Sequence, residues 1–200
     1  MAFIAGDDHI HEMMTGQKGR RRDDDLSELA GAPALALEMA IMTGYAWSDG
    51  RTKQIAYVSP VDGNGHIHEL VIRQGNTWSY TDLMDQLPGA PAADGVVIAG
   101  YAWKANGTKQ VVYTGSDSHI HEIMVGVMGM WAHSDLTQLT GAPEASNELV
   151  IGYEWTAQFA KQVVYLDTRE NPHIHELMLK HGGSWHHTDL TRLTDAPELV

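Results

Sequence analysis

Apolar and polar positions in the middle of the chain fall into four short runs: "VVIAGYAW" from residue 96, "KQVVYTG" from 109, "HIHEIMVG" from 119 and "MWAHSDLT" from 130. They are rich in valine, isoleucine, tyrosine and tryptophan and are separated by clusters of Gly, Asn, Asp and Pro, the pattern of short strands joined by turns. The connections "NG", "GSDS" and "VMG" supply the glycine and Asx positions of tight hairpins, so the four runs predict one antiparallel sheet with strands a, b, c and d. No segment carries helical periodicity, although "DLMDQL" at 82–87 suits a single turn.

The same pattern is written repeatedly. The tetrad His-Ile-His-Glu begins at residues 9, 66, 119 and 173, each time followed by "DL" and then by "GAP" or "DAP". Three connecting units, "GYAWSDGRTKQIAYVS", "GYAWKANGTKQVVYTG" and "GYEWTAQFAKQVVYLD", supply strands a and b. The tetrads recur every 53 to 57 residues, somewhat longer than the usual propeller blade, and helical solenoids match poorly. The chain therefore reads as one all-β domain: a β-propeller of about four four-stranded antiparallel blades, with units near 1–33, 34–91, 92–143 and 144–200. "AFIAGDD" at the start takes the place of a strand b, so the first unit lacks a strand a, while the final "PELV" matches the start of the strand a in "NELVIGYEW". This complementarity leaves three closures open: the last strand completes the first blade, two chains share one ring as a homodimer, or the protein continues beyond Val200.

Composition narrows the function. Aspartate and glutamate outnumber lysine and arginine by 26 to 13, and the formal charge of -13 disfavours nucleic acid and anionic membrane surfaces as partners. Hydrophobic content of 43% with six tryptophans is enough to fill a core. Cysteine is absent, which removes disulfides, thiolate nucleophiles and cysteine-type zinc sites and leaves the redox compartment unread. The most apolar run, "APALALEMAIM", is about half the length of a membrane span and carries Glu38, and "MAFIAGDDHIHE" lacks a basic start and a long apolar stretch. We expect neither a membrane span nor a signal peptide, and localisation stays open.

The tetrad admits two chemical readings. On a strand, His119 and His121 share one face while Ile120 and Glu122 share the other, so the pair could chelate a metal, but the adjacent glutamate cannot join it. The second reading is structural: Asp25, Asp82, Asp135 or Asp189 on the next strand offers each pair a hydrogen-bond partner that fixes sheet register. We expect the second, with no metal and no cofactor; His133, His181, His186 and His187 are the departures worth a metal assay. Tyr45, Trp47, Tyr101, Trp103, Tyr153 and Trp155 of the "GYxW" motifs read first as core filling. The run "KGRRRDDD" at 18–25 reads as a self-neutralising hairpin, and it puts Arg21 where the other units have tryptophan.

The order "VVY", "HIHEI", then Trp resembles the blade of the fucose-specific propeller lectins. Those proteins bind sugars in shallow pockets between adjacent blades through an arginine, a glutamate and stacking aromatics. The resemblance implies glutamates at Glu12, Glu69, Glu122 and Glu176 and aromatics at Trp78, Trp131 and Trp185. The family's arginine has no counterpart. Ile55, Val111 and Val163 stand in its place, with Gln54, Gln110 and Gln162 one residue earlier as candidate hydroxyl partners. The implied function is non-catalytic binding of a glycan at repeated weak sites, which gain avidity from repetition. The alternative is a propeller scaffold for protein partners, in which the repeated residues only hold the fold. An enzyme fits least, because nothing resembles a nucleophile elbow or a phosphate loop, and a residue repeated in every blade is hard to cast as a unique catalyst.

Overall fold

The computed structural model describes residues 1–15, 21–33, 35, 41–59, 65–73, 75 and 77–196, and for 95–97 the backbone alone. The strands form consecutive antiparallel sheets, each in sequence order. The first blade holds β1 (Ala2–Ile4), β2 (Ile10–Thr15) and β3 (Arg21–Asp25), and the second β4 (Met42–Trp47), β5 (Thr52–Ser59), β6 (His66–Arg73) and β7 (Trp78–Asp82). The third holds β8 (Ala93–Trp103), β9 (Thr108–Gly115), β10 (Ile120–Gly126) and β11 (Trp131–Asp135). The fourth holds β12 (Ala145–Trp155), β13 (Ala160–Asp167), β14 (Ile174–Lys180) and β15 (Trp185–Asp189). The expected strands a to d of the middle unit are β8 to β11, and among the described residues the first blade has b, c and d without a. The terminal "PELV", on which closure within one chain depends, lies outside the described residues, as do 18–20 of the basic hairpin and most of the apolar run. Within β3, Arg22 pairs with Asp24, in line with a self-neutralising hairpin. No helix among the described residues is long and apolar enough to cross a membrane.

Three "DL" segments close into helical turns that the periodicity did not reveal: α1 (Leu26–Ala30), α2 (Leu136–Thr140) and α3 (Leu190–Thr194). The aspartate starts each turn; Asp135, for example, accepts the Gln138 N–H at 2.8 Å. Gly141, at φ +64°, ends α2 in the left-handed conformation that glycine adopts without strain. In the second blade, residues 83–86 stay as turns.

The core lies between blades as three layers. Ile10, Leu26 and Leu35 of the first blade meet Ile55, Tyr57 and Leu70 of the second. Ala56, Val58 and Ile67 meet Ile98, Val111 and Tyr113 of the third. Tyr101, Val112 and Ile120 meet Val163, Tyr165 and Leu177 of the fourth. Two repeated motifs acquire a reason here. A side chain at Gly100 or Gly152 would strike the ring of Tyr45 or Tyr101 from the preceding blade, so the glycine of "GY" makes room for the neighbour's tyrosine. The Tyr113 and Tyr165 hydroxyls donate to the carbonyls of Pro91 and Pro143, at 3.0 and 2.8 Å, which ties the "VVY" strand to the preceding "GAP" exit.

The histidine ladder follows the structural reading. Nδ1 of His9, His66, His119 and His173 lies 2.6, 2.6, 2.7 and 2.8 Å from Asp25, Asp82, Asp135 and Asp189. These rings are partly exposed at the rim rather than buried. Each of these aspartates thus ties a histidine while its other oxygen accepts a backbone N–H just beyond the strand. The second histidine of the tetrad meets Asp7 in the first blade, the Tyr80 hydroxyl in the second, and a histidine and an aspartate in both the third and the fourth.

Candidate ligand site between the blades

Strand alternation sends the tetrad glutamate to the face opposite its histidines, toward the following blade. There the structure adds a residue that the sequence reading did not assign: the lysine that opens strand b. Lys53 pairs with Glu12, Lys109 with Glu69, and Lys161 with Glu122, each lysine reaching back to the preceding blade. At the junction of the third and fourth blades, Lys161 Nζ donates to both Glu122 oxygens, at 2.7 and 2.6 Å, and the Tyr101 hydroxyl donates to the same carboxylate at 3.1 Å. Tyr45 does the same for Glu69 at 2.6 Å. Tryptophans enclose the ammonium groups: Lys161 lies 4.9 Å from the ring centres of both Trp103 and Trp185, and Lys109 lies 5.8 and 5.6 Å from those of Trp47 and Trp131. Lys53 has Trp78 at 5.1 Å.

The Glu69–Lys109 and Glu122–Lys161 pairs are buried, whereas the Lys53 side chain at the first junction is 40% exposed. Glu12, Glu69 and Glu122 are buried, and around Glu69 and Lys109 the side chains leave no room for a water molecule. Burial pushes the Lys161 amine down, against the pull of the Glu122 charge. The Tyr45 and Tyr101 hydroxyls are driven well above their usual range by burial, reinforced by the neighbouring glutamate. Gln54 and Gln110 are buried as well and donate sideways to Thr52 and Thr108 on their own strands.

The outer face of the fourth blade carries the same set with no following blade among the described residues, although Gln162 is buried there all the same. Glu176 is only half-buried, and no described cation reaches it. Gln162 has no threonine beside it, since Ala160 stands where Thr52 and Thr108 stand, and it donates instead to Glu176 at 2.5 Å. Burial holds the Glu176 carboxyl above its usual range, with the Gln162 hydrogen bond opposing. Trp155 and Tyr153 are 45% and 40% exposed, whereas their counterparts Trp103 and Tyr101 are 3% and 6% exposed. Core filling therefore describes the "GYxW" aromatics of the second and third blades but not those of the fourth. Glu12, Glu69 and Glu122 thus meet Trp78, Trp131 and Trp185 between blades, while Gln54 and Gln110 bond within their own strands and Glu176 and Gln162 lie on the fourth blade's outer face. At the junctions, though, a lysine occupies the glutamate, and Trp78, Trp131 and Trp185 cover that lysine.

Groups with metal-ligand chemistry also gather at the rim. Asp117, His119, His121 and Asp135 each place one ligand atom within 4.8 Å of the others, and smaller sets form at His173, His175 and Asp189, at Asp7, His11 and Asp25, and at His66, Asp82 and Asp85. No tetrad glutamate belongs to any of them. In the fullest set the donors already satisfy one another, with His121 Nε2 at 2.9 Å from Asp117 and His119 Nδ1 at 2.7 Å from Asp135.

No protein-family model matches the chain, and no curated protein matches its sequence. Solved structures do. The SapL1 lectin in complex with α-methyl fucoside superposes with a TM-score of 0.63 at 15% identity, over 94% of this chain and 57% of that one. A six-bladed fungal lectin from Aleuria aurantia gives 0.61 at 15% identity, over 94% and 55%, and the BP39L lectin from Burkholderia pseudomallei gives 0.62 at 13%, over 92% and 49%. The chain spans about half the length of these lectins, and the likeness is one of fold: antiparallel blades arranged as part of a β-propeller.

Proposed function

We propose that this chain is a carbohydrate-binding propeller without catalytic activity, and that its sugar-facing set is Glu176, Trp155 and Tyr153, with Gln162 behind them positioning the carboxylate. The observation that carries the reading is the part-exposed Glu176 carboxylate beside the exposed Trp155 and Tyr153 rings on the fourth blade, with the buried Gln162 amide holding the carboxylate. A sugar has an apolar face that stacks on an exposed indole and hydroxyls that pair with carboxylate and amide. Glu12, Glu69 and Glu122 have their charges spent on lysines, so they hold blades in this reading, together with Trp78, Trp131, Trp185, Gln54 and Gln110. Fold neighbours solved with fucosides make a neutral monosaccharide of that kind the first ligand to try. The missing family arginine keeps the choice of sugar open.

A homodimer sharing one ring is the competing use of this face, because it would cover Glu176 and close the sugar-facing set. Arg21 is exposed on the face of the first blade that carries Trp131 or Trp185 in later blades, and its charge complements Glu176. A neutral glycan array followed by calorimetric titration tests the sugar reading. Binding that Glu176→Ala abolishes while the melting temperature is kept supports it; silence across a broad neutral set, or binding indifferent to Glu176, overturns it.

A further inference from the structure

The second blade carries a feature that neither the tetrad nor the lysine pairs explain. Between the ends of β4, β5 and β6 lies a concavity of about 460 Å³ whose lining includes Trp47, Arg51, Lys53 and Arg73. A second, of about 310 Å³, lies against it and is lined by Trp47, Asp49, Arg51, Arg73 and Val127, the last reaching in from the third blade. Thr52 pairs with Arg73 across the strands, so Arg51 sits one residue from Arg73's partner and the two guanidinium-bearing chains share one wall. Both are exposed, and neither has an acid within ion-pair distance among the described residues. Elsewhere Lys53, Lys109 and Lys161 meet glutamates, Arg22 meets Asp24 and Arg169 meets Asp167, while Arg21, Lys104, Lys180 and Arg192 stand singly without a described acid.

In a protein of net charge -13, two arginines lining one concavity with no described acid beside them concentrate positive charge. They are also peculiar to this blade. Gly107 and Phe159 occupy the position of Arg51, and Gly126 and Lys180 that of Arg73. The turn holds Arg51 at φ +54°, the left-handed conformation that it also imposes on Phe159 at φ +50° and that Gly107 adopts without cost. Two like charges lining one concavity repel each other, and an anion bound between them removes that repulsion while accepting forked hydrogen bonds. Asp49 lines the outer concavity, but its carboxylate lies beside Gly107 of the third blade.

We propose that Arg51 and Arg73, over the floor made by Trp47, form a subsite for the carboxylate or sulfate of an anionic saccharide. The anion reading is independent of the fourth blade; only its attachment to a sugar rests on the function proposed above. The chain's overall negative charge fits a ligand with one or two anionic groups rather than a polyanion.

The test is calorimetric titration at low salt with a uronic-acid trisaccharide, the same trisaccharide with its carboxyls reduced to alcohols, a singly sulfated trisaccharide, and inorganic sulfate. The uronate or the sulfated sugar should bind, and the double variant Arg51→Ala/Arg73→Ala should weaken it at least about tenfold, since a hydrogen bond to a charged group is worth that much. Glu176→Ala should leave that binding intact, and the double variant should leave any neutral-sugar binding intact. Circular dichroism of the double variant should be unchanged, both residues being exposed. Equal binding by the double variant, or no binding of either anionic sugar, overturns the subsite. Inorganic sulfate binding as tightly as the sugars overturns its saccharide part.

Discussion

The junction between the third and fourth blades and the outer face of the fourth carry the same motif residues in different physical states. At the junction, Glu122 is sealed under Tyr101, Trp103 and a lysine from the next blade. On the outer face, Glu176 sits beside Tyr153, Trp155 and Gln162, half in solvent, with its carboxyl drawn toward the neutral form. The lesson is that the tetrad glutamate has no fixed role. An arriving ammonium makes it a staple between blades, and without one it keeps free hydrogen-bonding capacity beside exposed aromatic rings.

The largest way to break this contrast is to remove the ammonium from a closed junction. Lys161→Met leaves Glu122 buried without its cation, and breaking one half of a buried pair costs about 3 to 5 kcal/mol. Chemical denaturation should show that loss, and adding Glu122→Leu should restore most of it, because a well-packed apolar pair replaces a buried ion pair at little cost. A double variant no more stable than the single one would mean that the junction depends on shape rather than on charge.

Much of this was legible beforehand. Strands a to d and the repeat were readable because β-branched and aromatic runs between glycine-rich turns leave few alternatives. The pairing of His119 with Asp135 followed from alternation along β10 and the neighbouring strand. The same alternation could have placed the lysines. "KQ" opens strand b in all three complete units, and consecutive residues face opposite ways, so a Lys beside an inward Gln must point to the preceding blade. Five-residue helices such as α2 stayed hidden because they are too short to show a period. Which copy would be open could not be read at all: Glu122 and Glu176 have identical tetrads, and what separates them is what lies opposite in space.

A smaller effect lies in the partner of the tetrad's second histidine, which differs between the second blade and the two that follow. His121 Nδ1 faces His133 Nε2 at 3.0 Å and His175 faces His187 at 2.8 Å, whereas His68 faces the Tyr80 hydroxyl at 2.8 Å. Since His121 Nε2–H donates to Asp117, its Nδ1 accepts from His133. Burial, reinforced by the neighbouring ring's charge, holds His133 and His187 below the usual imidazole value of 6.5. The unfolded chain therefore takes up these protons first, and stability falls as pH drops below about 6.5 until the folded rings are charged as well. His9 and His119 act oppositely, because hydrogen bonds to Asp25 and Asp135 raise them and their contribution is lost as pH climbs through the raised values. His133→Tyr reproduces the arrangement at Tyr80 and should flatten the fall in melting temperature between pH 6.5 and 5. An unchanged slope would place the acid sensitivity elsewhere.

The smallest effect is the most discriminating, because one substitution should carry opposite signs at the two places. Glu176→Gln keeps the shape and an acceptor for Gln162 while removing a charge that the fold disfavours. A carboxyl raised in the folded state weakens the protein above that raised value, and the penalty disappears as pH falls toward the ordinary value of 4.5. Glu176→Gln should thus stabilise at neutral pH by on the order of 0.5 kcal/mol or less, since solvent screens a half-exposed group. The gain should vanish near pH 4.5. Glu122→Gln should destabilise at neutral pH, because it strands Lys161 under Trp103 and Trp185. Thermal melts of both variants from pH 4 to 8 measure the two signs together. If both lower the melting temperature at neutral pH, Glu176 has a cationic partner in solution, and the fourth blade's outer face is a closed junction like the others.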